Sequence, residues 1–132
     1  MTSAAWDTTK IAAAPVVTAP DGSEVRILAA SRRGSMATFT LPPGAVAKPV
    51  AHRTVEEIWY VLAGAGRLWR RCDDREEITD LVPGVSLTIP VGSGFQFRND
   101  GDSPLAIVAV TMPPWPGADE ACDVTGLWQP RV

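Results

Sequence analysis

This sequence has little of what several function classes require. Formal net charge is -3 over 132 residues, so it lacks the cationic excess of a general polyanion binder. Ten of its twelve cations are arginines, and only Arg32-Arg33 and Arg70-Arg71 stand together, as solvated strand positions. No apolar run approaches the roughly 20 residues that cross a bilayer. Met1 to Lys10 lacks a basic start followed by an apolar stretch, so no secretory leader is expected. Cysteine is scarce too. Cys72 and Cys122 have no metal-type spacing, and in a chain without an export signal they read as free thiols. The expectation is a cytoplasmic protein with no nucleic-acid or membrane partner.

Glycine and proline are what the chain has in quantity, eleven and twelve of them. They gather at Pro20-Asp21-Gly22, Pro42-Pro43-Gly44, Gly64-Ala65-Gly66, Pro83-Gly84, Gly92-Ser93-Gly94 and Asp100-Gly101. Short segments between such turns mark an all-β sandwich or barrel. The predicted strands are 24–31, 35–41, 46–52, 57–62, 67–72, 76–81, 86–89, 95–98 and 105–112. Thr54-Val55-Glu56-Glu57 also fits a helix capping box. A strand is preferred there because Ile58, Trp59, Tyr60 and Val61 favour strands and Gly64 and Gly66 end the segment. The whole chain reads as one domain, with a barrel core over about 24–112. The tail, 113–132, holds Pro113, Pro114, Pro116 and Pro130 and cannot run as a central strand or helix. Its Trp115, Leu127 and Trp128 are expected to dock on the barrel or on a second subunit.

Two stretches carry a motif. In the first, Gly44, His52, Glu57 and Gly64 stand at set spacing; in the second, Gly84, Pro90, Gly92 and Asn99. Together they resemble the two motifs of the cupin superfamily. The resemblance covers 44–99 and extends through the flanking strands, and Thr111 to Gly117 is similar to the end of a subgroup of small bacterial cupins. It implies a double-stranded β-helix, the cupin jelly-roll barrel, and a homodimer. Metal-binding cupins use two His and a Glu of the first motif and a His of the second. Here Val50 and Phe95 stand at two of those positions, and only His52 and Glu57 remain. A divalent transition metal takes three or four strong protein ligands. The expectation is therefore no tightly held metal or other cofactor; were one bound, its ligands would be His52 and Glu57.

The motif places His52 and Glu57 inside the barrel, where a His beside a carboxylate can act as an acid–base pair. The plainer reading is an inherited pair that only fills and polarises the pocket. Strand alternation puts Trp59 and Val61 on the face of Glu57, and Phe97 on the face of Phe95. Val61 reads as core. Val50, Trp59, Phe95 and Phe97 are candidate walls of a ligand pocket, with the aromatics stacking on a planar or cyclic ligand. Glu56, Ile58 and Tyr60 then face outward, toward another sheet or subunit. Three functions stay open. One is a small-molecule-binding cupin, acting as a metal-independent isomerase, epimerase or cyclase through His52 and Glu57. The second is a metal-dependent dioxygenase or sugar isomerase with an incomplete protein ligand set. The third is a non-catalytic binding or sensor protein.

Overall fold

Alternation of apolar and polar residues between Gly/Pro turns builds two facing antiparallel sheets. A computed structural model describes residues 6–132. The strands are β1 (Val16–Thr18), β2 (Glu24–Ala30), β3 (Ser35–Leu41), β4 (Val50–His52), β5 (Glu56–Ala63), β6 (Gly66–Cys72), β7 (Arg75–Leu81), β8 (Ser86–Ile89), β9 (Gly94–Asn99), β10 (Leu105–Met112) and β11 (Ala121–Asp123). One sheet runs β1-β2-β3-β10-β5-β8 and the other β11-β4-β9-β6-β7. Apart from two three-residue 3-10 turns the described chain is all strand and loop, a jelly-roll barrel. No helix is long and apolar enough to cross a membrane among the described residues.

The strand preference at 57–62 holds, as β5. Strict alternation there buries Glu57, Trp59 and Val61 and leaves Ile58, Tyr60 and Leu62 outside. The Thr54 signal has a different use. Glu120, from the tail, takes the place of a helix cap: its carboxylate accepts from Thr54 N (2.6 Å), Thr54 Oγ1 (2.6 Å) and Val55 N (2.8 Å).

Elsewhere the structure departs from expectation. The predicted strand 46–52 shrinks to Val50–His52, because Pro49 has no N–H to donate. Val46 makes only isolated bridges, to Arg98 and Arg131. β1 and β11 went unseen in the sequence; each is three residues long and lies at a sheet edge. Edge strands this short have no room for a periodicity signal.

Between the sheets, Leu41, Val61, Leu68, Leu81, Phe97, Leu105 and Ile107 are wholly buried. Each such side chain contributes about 1.5–3 kcal/mol by leaving water. The tail is docked on the barrel. The Gln96 side chain donates to the carbonyls of Ala47 (2.9 Å) and Trp128 (2.7 Å) and accepts from the N–H groups of Leu127 and Trp128 (2.9 Å each). The Trp128 ring lies under the guanidinium groups of Arg67 and Arg98.

Candidate functional site

β4 and β5 bring His52 and Glu57 together through the short turn at 53–55. His52 Nδ1 lies 2.9 Å from Glu57 Oε2, and both side chains are buried. The approach is off the ring N–H direction, so the close contact is not an aligned hydrogen bond. The other carboxylate oxygen, Oε1, accepts from Trp59 Nε1 at 2.6 Å. Glu57 and Trp59 are two apart on one strand face, which makes this bond local and fixes the carboxylate from both sides. His52 is held edge-on between two rings, Phe95 at 5.2 Å and Trp115 at 5.1 Å between centroids.

The pair opens on a cavity of about 460 Å³. Its walls are mainly apolar: Val25, Phe39, Val50, Phe95 and Ala109 deep down, Val17, Pro20 and Trp115 nearer the mouth. Trp115 is positioned by β3 and β10. Ser35 Oγ and Thr111 Oγ1 lie 2.6 Å apart, and the Trp115 N–H donates to Ser35 Oγ at 2.9 Å. Four sequence candidates, His52, Glu57, Val50 and Phe95, do line this space. Trp59 and Phe97 do not. Both are wholly buried behind it, packed edge to face at 5.1 Å. Periodicity gave their face correctly but not their depth: an inward aromatic reaches core or cavity according to what its neighbours already fill. Trp59 touches the site through its indole N–H on Glu57 rather than by stacking.

Sequence reasoning missed Asp21. It sat in a Pro-Asp-Gly cluster that reads as a surface turn, and it is one: Asp21 Oδ1 accepts from Ser23 N (2.9 Å) and Ser23 Oγ (2.7 Å). Yet Asp21 is 7% exposed and lines the same cavity as His52 and Glu57. Burial holds its carboxyl above the usual carboxylate range, outweighing the two Ser23 hydrogen bonds. The charge of Glu57 pushes the same way and that of His52 opposes it.

A family model described as a cupin domain matches residues 37–111, more than half of the chain. The chain belongs to the cupin family. Among curated proteins none matches it. Of solved structures, a variant of Bacillus subtilis oxalate decarboxylase aligns with a TM-score of 0.72 at 20% identity, over 86% of this chain and 31% of that one. CapF, bound to the inhibitor 3-isopropenyl-tropolone, aligns at 0.68 and 19% identity, over 83% and 34%. A Bacillus halodurans protein aligns at 0.63 and 20% identity, over 69% and 70%. The present cupin thus spans about a third of the length of the first two. At these identities the likeness is one of fold.

Another oxalate decarboxylase structure is described by its Mn(II) centres. The residues of this cupin do not suit such a metal. Val50 and Phe95, paired in register on β4 and β9, turn hydrocarbon toward the cavity. Of the family's four ligand positions only His52 and Glu57 keep a donor, and these lie 2.9 Å apart, in contact with each other. Among the described residues no three His, Cys, Asp or Glu side chains gather closely enough to hold an ion.

Proposed function

We propose that this cupin binds a small planar or cyclic molecule in the cavity and moves a proton on it through His52 and Glu57, without a metal. The carrying observation is a carboxylate–imidazole pair, oriented by Trp59, at the edge of a mainly apolar cavity. Such a pair can take a proton from carbon next to a carbonyl. The C–H electrons then move onto the carbonyl oxygen as an enolate, and return of the proton at the other face or a neighbouring carbon completes an epimerisation or isomerisation. The narrowed pocket, Val50 and Phe95 with Trp115, suits a flat ring. CapF's tropolone inhibitor is such a ring, on a protein of which about a third, 34%, aligns with this fold.

The test is uptake of solvent deuterium by a panel of cyclic ketones and keto sugars, followed by mass spectrometry. Wild type should exchange at least one member. Glu57→Gln and His52→Gln should slow that exchange about 100-fold or more, the scale of general acid–base catalysis. Binding without exchange would make the protein a non-catalytic binder or sensor. Stoichiometric metal in purified protein, lost on His52→Ala, would instead favour the metal-dependent reading.

We also infer a homodimer of this cupin. Ile58 and Tyr60 on β5 align with Val110 and Val108 on β10, and this outer face is apolar and open. A second copy covering it would remove that surface from water.

A further inference from the structure

Asp21 has no evident reason to be buried. The Asx turn it makes with Ser23 uses only Oδ1 and would form equally well at the surface. The second oxygen, held in a mostly buried residue, needs a partner of its own. Oδ2 has no hydrogen-bond partner among the described residues, and it is not sealed off by protein. Its residue lines the cavity, so the cavity is where it can find one.

The position is not accidental in the fold. The Asp21 carbonyl accepts from Lys48 N at 2.8 Å, tying the loop to the segment that leads into β4. The next residue, Gly22, has φ +94, and a Cβ there would lie 2.5 Å from the Val132 side chain. The loop is therefore clamped between the barrel and the end of the chain, and the carboxyl is held in place.

The lining also limits the ligand's charge. Among the described residues, the cavity includes no Lys or Arg; its ionisable groups are His52, Glu57 and Asp21. A phosphate, sulfate or carboxylate would be buried beside two carboxyl groups with one imidazole to balance it. A neutral molecule meets no such penalty. A protonated Asp21 carboxyl offers it a hydrogen-bond donor, and burial favours that protonated form.

We propose that Asp21 is a third ligand-binding group of this cavity, donating from Oδ2 to a carbonyl or hydroxyl oxygen of an uncharged, mostly apolar ligand. The inference rests on the cavity being the ligand site, as read above. Its substrate class follows: neutral ring compounds carrying an oxygen acceptor, not sugar phosphates or carboxylic acids.

Three probes on one skeleton test it: naphthalene, 2-acetylnaphthalene with a ¹³C carbonyl, and 2-naphthoate. Binding is followed through the backbone amide resonances of residues 50–52 and 95. The ketone should bind wild type roughly five- to tenfold tighter than naphthalene, the worth of one buried hydrogen bond. The naphthoate should bind more weakly than the ketone. In Asp21→Leu the preference for the ketone should vanish while naphthalene affinity stays. In Asp21→Asn, which keeps the Ser23 bonds and presents an amide donor, the preference should largely survive. The carbonyl ¹³C resonance should then move, because an amide polarises the carbonyl less than a carboxylic acid does. That last measurement decides the matter should the Leu variant fail to fold, and a purely structural Asp21 would not move it. A ¹³C resonance unchanged by Asp21→Asn, or a ketone preference that survives Asp21→Leu, overturns the role of Asp21 and leaves the cavity reading standing. Equal affinity for naphthalene and ketone does the same. If no probe perturbs those amides, the cavity reading falls and this inference with it.

Discussion

Asp21 and Glu120 are both buried carboxyl groups, and their surroundings drive them in opposite directions. Burial dominates at Asp21, and its folded carboxyl holds its proton more tightly than the ordinary 3.8. Its stabilising contribution is therefore full below that value and lost as pH rises through the folded one. Asp21→Asn should raise the melting temperature relative to wild type at about pH 8, with the advantage fading toward about pH 4. At Glu120 burial also pushes upward, but the hydrogen bonds from Thr54 and Val55 outweigh it and leave the carboxyl below its ordinary 4.5. Its contribution is present above 4.5 and is lost as pH falls through the folded value. Glu120→Gln should cost about 1–2 kcal/mol near neutral pH, since the charge-assisted bonds from Thr54 N and Val55 N become neutral ones while the amide N–H turns to the Thr54 hydroxyl. Urea melts at about pH 7 and pH 3 should show the gap closing in acid. At Val50 and Phe95 the chemistry is one of missing donors. Val50→His with Phe95→His would surround the cavity end with three imidazoles and Glu57. That double variant should take up zinc or manganese by elemental analysis, with affinity lost on adding His52→Ala.

The elements divide into strands that build the barrel and a tail that braces it. β5 serves both faces: Glu57 and Trp59 shape the site while Ile58 and Tyr60 face out. The tail's role is concentrated in few contacts. β11 pairs with β4 alongside His52, Arg53 Nε donates to the Asp119 carbonyl, and Gln96 grips the backbone at 127 and 128. The grip requires close approach, since a Cβ on Gly126 would lie 2.6 Å from Gln96 Oε1. Gln96→Leu removes all four bonds and strands the Ala47 carbonyl. It should cost about 2–3 kcal/mol. Hydrogen exchange should speed up at Leu127, Trp128 and Arg131 well before it does in β5 or β10.

For the whole molecule, the proposed assembly rests on the outer face of the six-stranded sheet. Ile58 and Tyr60, on β5 between β10 and the edge strand β8, are each 47% exposed beside Val108 and Val110. The proposed homodimer predicts about twice the chain's mass in sedimentation velocity at micromolar concentration. Tyr60→Asp should halve it, because an interface core does not tolerate an unpaired charge. Its effect on the monomer fold should be small, within about 0.5 kcal/mol, since the side chain is exposed. A wild-type monomer at that concentration would remove the homodimer proposal.

Much of this was legible in one dimension. Alternation along 57–62 and 95–98 assigns the inward faces, Gly and Pro clusters mark the turns, and the two motifs bring His52 and Glu57 to the interior. Alternation and turns are local properties, governed by the period of two along a strand or by φ at a turn, so neighbouring residues suffice to read them, whereas the inward placement of His52 and Glu57 is what the resemblance to cupins implied. What only the tertiary structure decided lies between residues far apart in the chain. Glu120 caps the turn at Thr54 across 66 positions. Trp115 comes to rest on His52, and the rings of Trp59 and Phe97 fall behind the cavity rather than along it. An Asp-Gly turn that would ordinarily face water is folded against the cavity, and its Asp21 lines it together with His52 and Glu57. Periodicity states which way a side chain points; only the packing of separate strands states what it meets there, and at what depth.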